Sequence, residues 1–333
     1  MNVAMWLKAI RVIPRISKEE WKRLDVISRW LVSTRAAVLL MTFFSAAIAG
    51  LLAARDGQFV WSRWLLLALG LIFAHATNNL VNDWTDYKRG VDKDNYFRTQ
   101  YGPQPLQQGL LTERESFVYI AVTGLIAVAA GIPLVLQGGT LALILMLVGI
   151  IFILFYTYPL KYIGMGEIAV LLIWGPLMIA GGYFVITGNW DWNVVIASLP
   201  YALGPTTVLF GKHIDKLKAD QEKGIHTMPV LLGEKTARYV VMGMIALQYL
   251  LVIGLVITGF FSPLMLVVLV ALSTLPKVWQ MYRHPKPVER PPDYDEATWP
   301  LWFSAMSFYH NRAYGLWFLI GLILDVVLKT VIL

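Results

Sequence analysis

The sequence contains no cysteine, which excludes a disulfide scaffold, thiol catalysis and thiolate metal sites. It is also short of charge. Only 15% of its 333 residues are Asp, Glu, Lys or Arg, where a soluble globular chain carries about a quarter. With 57% hydrophobic residues and a mean hydropathy of +0.61, the chain is too apolar to be wetted all round, and disorder and collagen are excluded with it. There is no Walker A loop and no Gly-x-Gly-x-x-Gly, so nucleotide-driven transport and dinucleotide chemistry lack their phosphate cradles. No His pair has zinc spacing. The first 30 residues mix charges and tryptophans without a clean apolar stretch, and no cleavable signal is expected.

What is present is a series of apolar stretches near 20 residues, each long enough to cross a hydrocarbon core of about 30 Å. They fall at 32–54, 60–82, 116–136, 140–158, 167–187, 194–210, 238–259, 262–280 and 313–332. Strand alternation is missing, and lipid cannot satisfy open backbone groups, so the spans are predicted as nine α-helices in an all-α polytopic membrane bundle. The loops orient it. One side holds only Arg55, Arg63 and Lys329, and the other 25 of the 28 basic residues lie opposite. The positive-inside rule then puts the N-terminus in the cytoplasm, in an inner (cytoplasmic) membrane. The +7 net charge is thereby read as topology and as attraction for anionic lipid and phosphate, with no nucleic-acid partner. Residues 1–30 are expected to be a cytoplasmic, interfacial segment, and 31–333 a single transmembrane domain. Within the first, Ser17 and Glu20 have capping-box spacing, and Trp21, Leu24, Ile27 and Leu31 recur at helical spacing. The proline-rich 285–300 stretch is expected to be a loop, and the aromatic Trp299–Tyr309 segment to lie at the interface or over a cavity mouth.

The informative residues are acidic. On a helix, Asn79, Asp83 and Asp86 stand at i, i+4 and i+7, and Asn82 lies four before Asp86, so they share a face. Carboxylates at the end of an apolar helix are costly unless hydrated, paired or bound to a cation. Several converging oxygens suit a hard cation such as Mg²⁺, which completes its shell with substrate phosphates. A second cluster, Lys212, His213, Asp215, Lys216 and Asp220, follows the sixth span on the same side. Carboxylates interleaved with lysines suit a diphosphate.

These residues together resemble the UbiA superfamily of intramembrane prenyltransferases, over about residues 30–275. Asn82-Asp83-x-x-Asp86 is similar to that family's first motif, and Asp220-x-x-x-Gly224-x-x-Thr227 to the tail of its second. The branch resembled is that of the 1,4-dihydroxy-2-naphthoate prenyltransferases of menaquinone synthesis. Supporting segments are Gly90, Gly102-Pro103, Gly109-Leu-Leu-Thr112, Tyr158-Pro159-Leu-Lys161 with Gly164-Met-Gly166-Glu167, and Trp174-Gly175-Pro176. The resemblance implies a central cavity open to the cytoplasmic side and Mg²⁺ bridging both motifs to a polyprenyl diphosphate. An allylic cation would then be captured by an aromatic acceptor, with loss of CO₂ in the menaquinone branch. It implies metal ligands among Asn82, Asp83, Asp86, Asp215 and Asp220. Lys161 is implied on the diphosphate, and Asn79, Lys88, Tyr156, Tyr158, Lys212, His213 and Lys216 as substrate contacts. For Tyr156 and Tyr158 the interfacial aromatic belt is an equal alternative.

The second motif departs from the pattern. The family has two aspartates four apart, but here Lys216 stands four before Asp220 and Asp215 five before it. Five residues rotate a side chain about 140° around a helix, off the shared face. A π-bulge between them would restore that face, and this is the expectation. The alternative is that Asp220 acts alone and Lys212 or Lys216 meets a diphosphate oxygen directly. Two other classes remain for comparison. A secondary transporter would carry its carboxylates near mid-membrane on broken helices. A CDP-alcohol phosphotransferase opens its motif with Asp-Gly, which occurs here only as Asp56-Gly57 on the opposite side.

Overall fold

The computed structural model describes residues 2–94 and 97–332, and among these it is all helical, with no strand. Three short helices come first: α1 (Val3–Arg11), α2 (Lys18–Lys22) and α3 (Val26–Ser33). The capping box forms, with Ser17 Oγ accepting from Glu20 N and a Glu20 oxygen accepting from Ser17 N. The single amphipathic helix expected over 17–31 is instead broken in two. Asp25 ends the run by capping α3, its carboxylate accepting from Ser28 N at 3.0 Å. Asn or Asp before a helix competes for backbone donors in this way.

Eight long apolar helices follow: α4 (Ala36–Arg55), α5 (Trp61–Lys88), α6 (Glu113–Phe155), α7 (Gly166–Thr187), α8 (Trp192–Asp215), and, after the short α9 (Leu217–Glu222) and α10 (Met228–Leu232), α11 (Glu234–Ile257), α12 (Pro263–Arg283) and α13 (Phe303–Thr330). Helix α6 has 43 residues, and Gly139 interrupts it with φ 65° and ψ −149°, a conformation closed to other residues. It therefore divides into two apolar helical segments on either side of Gly139, so the eight long helices of the described chain hold nine apolar segments. The protein is a multi-pass membrane protein.

Helix ends reach further into the polar side than the apolar stretches suggested. α5 continues to Lys88 and α8 to Asp215, because their last turns remain buried among polar partners. α13 begins at Phe303, ten residues before the apolar stretch, and takes in much of the aromatic segment. Regular α geometry is lost inside two spans: α7 is a π-helix over Ile173–Ala180, around Pro176, and α12 opens as a 3₁₀-helix over Pro263–Thr274. A proline lacks the N–H that the regular ladder needs.

In lipid the helices gain little from hiding apolar surface from each other, so close approach at small residues carries the packing. Gly211 is one such place. A Cβ there would lie 2.8 Å from the Phe303 carbonyl carbon and Ser304 N, so only glycine lets α8 meet the first turn of α13. That contact sets Asp215, one turn further on, against the same helix end.

Candidate active site

The first cluster occupies the last three turns of α5, with Asn79, Asn82, Asp83 and Asp86 all buried. Each carboxylate is met by cations from distant segments. Arg35 Nη2 donates to Asp83 Oδ1 at 2.9 Å and to the Asn79 carbonyl at 2.9 Å. Arg98 reaches the same carboxylate, its Nη1 on Oδ1 and its Nη2 on Oδ2 at 3.0 Å. Lys161 Nζ donates to both Asp86 oxygens, at 2.8 and 3.0 Å. Asn79 and Asn82 donate to the Thr34 carbonyl and to Thr157 Oγ1. Arg35 links α3 to α4 in the left-handed region, φ 57° and ψ 54°. A bulky residue holds that conformation only where its surroundings fix it, and here the fixed point is Asp83. Burial works against the charge on Arg98, but Asp83 more than offsets it and the guanidinium is held more firmly protonated than usual. Asp92, buried on the loop beyond, forms no ion pair of this kind among the described residues. Its carboxyl is pushed up to about 6, by burial first and then by Asp86 and Asp83.

The second cluster is built differently. α8 ends at Asp215, Lys216 leaves helical geometry at φ −113° and ψ 17°, and α9 starts afresh. The expected π-bulge is absent here, and the interruption is a helix end. Asp215 does not join the first cluster. Its oxygens accept from Trp302 N at 3.0 Å, Phe303 N at 2.9 Å, Ser304 N at 3.0 Å and Ser304 Oγ at 2.7 Å. It caps α13, where an anion is favoured by free N–H groups and by the helix dipole. The metal and catalytic role expected for Asp215 is corrected accordingly. Lys216 Nζ donates to Asp220 Oδ1 at 2.6 Å, so the residue in the place of an aspartate pairs with the aspartate that remains. His213 Nδ1 lies 2.5 Å from Glu167 Oε1 on α7.

Two chambers join these elements. A polar chamber of about 180 Å³ is lined by Asn79, Asn82 and Asp86, by the basic residues Arg35, Arg98, Lys161, Lys212 and Lys216, and by Tyr156 and His213. Leu301, Ser304 and Phe308 close it from the α13 side. An apolar chamber of about 340 Å³ lies between α5, α6 and α7. His75, Asn78, Ile173 and Trp174 border both. His75 is fixed there by Thr42 Oγ1, 2.7 Å from Nδ1, and stands edge-on to Trp174.

Two expected substrate contacts fall outside. Lys88 points to the surface, paired with Glu113 at 2.5 Å. Tyr158 is 46% exposed and lies under the Arg89 guanidinium, 3.8 Å from ring centroid to Cζ. Lys88 is one residue off the buried face of α5, and Tyr158 lies beyond the end of α6 that carries Tyr156 inward. Residues given no site role from the sequence are Arg35, Arg98 and His75, and Trp174 and Glu167, which stand only in segments that carry the resemblance. Arg35 and Arg98 are 48 and 15 residues from Asp83, so no local spacing reveals them. Glu167 stands in a quoted segment, but nothing in the sequence pairs it with His213.

A mouth crowded with cations and oxygen donors, opening into an apolar slot within a bundle of long apolar helices, suits a molecule with an anionic head and a long hydrocarbon tail. Comparison with known proteins decides which: the UbiA prenyltransferase family matches residues 42–294. The chain belongs to the UbiA prenyltransferase family. It is 30% identical over 221 residues to the 1,4-dihydroxy-2-naphthoate octaprenyltransferase of Escherichia coli (strain K12), covering 63% of this chain and 70% of that one. It is 28% identical over 263 residues to the digeranylgeranylglyceryl phosphate synthase of Haloquadratum walsbyi, covering 75% and 87%. In fold it is similar to a UbiA homologue from Archaeoglobus fulgidus bound to GPP and Mg²⁺, with a TM-score of 0.54, 16% identity, and 87% and 99% of the two chains covered. As a member of the UbiA family the protein is a prenyltransferase.

Proposed function

We propose that this UbiA-family protein transfers a polyprenyl group from polyprenyl diphosphate, with Mg²⁺, to 1,4-dihydroxy-2-naphthoate in menaquinone synthesis. The observation that carries the reading is the junction of the two chambers at His75 and Trp174, with cations on one side and hydrocarbon on the other. The basic residues gathered on one side of the sequence support a cytoplasmic mouth and a cytoplasmic N-terminus in an inner membrane.

The donor set fits a hard divalent ion in kind. Asn82, Asp83, Asp86 and Asp220 offer only oxygen, and Asp83, Asp86 and Asp220 each already hold a cation in an apolar setting. Asn82, Asp83, Asp86 and Asp220 would hold Mg²⁺, and the ion would neutralise charge on the departing diphosphate. The chain's own cations share that work. Lys161, Lys212 and Lys216 bind the diphosphate as point charges, and Arg35 and Arg98 hold Asp83 in place. Lys216 thus takes the part that the second motif of the family gives to an aspartate. The isoprenoid tail lies in the apolar chamber, and Trp174 and Tyr156, which line the polar chamber, supply the aromatic rings near which the allylic carbon becomes positive.

The test incubates the purified protein in lipid nanodiscs with Mg²⁺, radiolabelled polyprenyl diphosphate and a panel of acceptors. The panel holds dihydroxynaphthoate, a hydroxybenzoate and a glycerophosphate lipid. Prenylated naphthoquinol from wild type, lost in Asp83→Asn, is the expected result. Transfer to the glycerophosphate lipid alone would replace the acceptor.

A further inference from the structure

Nothing in the diphosphate chemistry uses the buried pair of Glu167 and His213, yet His213 lines the polar chamber and Glu167 backs it. Both side chains are about 1% exposed, and Glu167 Oε1 and His213 Nδ1 are 2.5 Å apart. They come from two different spans, α7 and α8, so the pair forms only in the folded bundle. Glu167, Val170 and Trp174 are i, i+3 and i+7 on α7, which puts the carboxylate on the face that carries the chamber-lining Val170 and Trp174. A carboxylate on Nδ1 fixes the tautomer with the proton on that nitrogen and leaves Nε2 as a basic site. The surrounding charges are Lys212 and Lys216 from the end of α8, Asp220 from α9 and Lys161 from the turn before α7.

We propose that Glu167 and His213 form the proton-accepting dyad for the prenyl acceptor, and that the acceptor binds against the Trp174–Tyr156 wall beside them. The inference rests on the aromatic-acceptor reading above. His213 Nε2 takes the proton of the acceptor hydroxyl, and the Glu167 carboxylate stabilises the imidazolium through Nδ1–H. The phenolate raises electron density on the neighbouring ring carbon. That carbon forms its bond to the allylic carbon as the C–O bond to diphosphate breaks, and the diphosphate leaves with the electron pair. With a ring carboxylate at the attacked carbon, CO₂ departs and its bonding pair restores the aromatic phenolate. His213 returns the proton to that oxygen. With hydrogen at the attacked carbon, that proton passes instead to an oxygen of the departed diphosphate, and His213 restores the hydroxyl in the same way.

The experiment measures transfer to dihydroxynaphthoate against pH for wild type, His213→Gln and Glu167→Gln. It is run in nanodiscs, alongside binding of an unreactive prenyl thiolodiphosphate. Wild-type kcat/KM is expected to fall on the acid side as the imidazole protonates. Both variants lose roughly 100-fold or more in transfer, and His213→Gln loses the acid limb. Thiolodiphosphate affinity stays within about twofold, which excludes a misfolded chamber. An acceptor analogue with a more acidic hydroxyl, ionised without help, recovers most of the lost rate in both variants. Variants that keep the wild-type pH profile overturn the dyad while leaving the acceptor reading intact. Equal loss of thiolodiphosphate binding also overturns it and makes His213 a diphosphate or packing residue. A wild type that prenylates no hydroxylated aromatic removes both readings.

Discussion

The two acidic motifs sit on opposite walls of one chamber and are organised in contrary ways. On α5 the helix runs unbroken through Asn79, Asn82, Asp83 and Asp86, so the rise and turn of the helix alone bring the oxygens to one face. Opposite, α8 stops at Asp215 and the chain restarts at Leu217. One aspartate is spent on capping α13, and the other is paired with a lysine. On the function proposed above, the difference separates two ways of handling a diphosphate: oxygens that accept a divalent ion, and ammonium groups that meet the anion directly. It also separates a motif whose carboxylates are all proposed to serve chemistry from one in which Asp215 caps a helix.

Asp83→Asn gives the largest expected effect. It leaves Arg35 and Arg98 buried without their counter-charge, at a cost of about 3–5 kcal/mol, and transfer should fall to background in the nanodisc assay. A thermal melt in the same preparation separates the two losses. Asp215→Asn is the counterpart on the other wall. It should cost about 2 kcal/mol by weakening a charged helix cap, visible as a lowered melting temperature. Transfer per folded molecule should change by less than about threefold, because Asp215 bonds the first turn of α13 and none of the residues proposed to hold the ion or the diphosphate. If Asp215→Asn abolished transfer without lowering the melt, the contrast between the walls would break.

Asp92 supplies a smaller, pH-dependent effect. Its carboxyl titrates at about 6 in the folded protein, against about 3.9 when solvated. Between those values the folded form binds a proton that the unfolded form does not, so stability is highest below pH 4 and declines as pH rises through 6. Asp92→Asn should therefore stabilise the protein at pH 7.5, on the order of 2 kcal/mol, and leave it unchanged at pH 4. Chemical unfolding followed at the two pH values checks the sign.

The spans were legible in the sequence because lipid imposes length and apolarity together, and the gap between the stretches 116–136 and 140–158 is where Gly139 interrupts α6. The Asn79–Asp86 face was legible for the same local reason, a period of 3.6 continued to the helix end. The fate of Asp215 was not. It depends on Gly211 admitting Phe303 and Ser304 to α8, a contact across about 90 residues of sequence. Arg35 and Arg98 were hidden likewise, since what selects them is a buried carboxylate far along the chain. The break at Asp25 shows a local signal overridden by another local signal, where a cap residue outweighed an amphipathic pattern.

The most direct test of the contrast is binding of a prenyl thiolodiphosphate as a function of Mg²⁺, compared among wild type, Asp86→Asn and Lys216→Met. Asp86→Asn should remove the dependence on Mg²⁺. Lys216→Met should weaken binding about tenfold at every Mg²⁺ concentration, as expected for a lost point charge, and leave the Mg²⁺ midpoint in place. A Lys216→Met midpoint displaced as far as that of Asp86→Asn would contradict the account, because lysine and aspartate would then be serving the same ion.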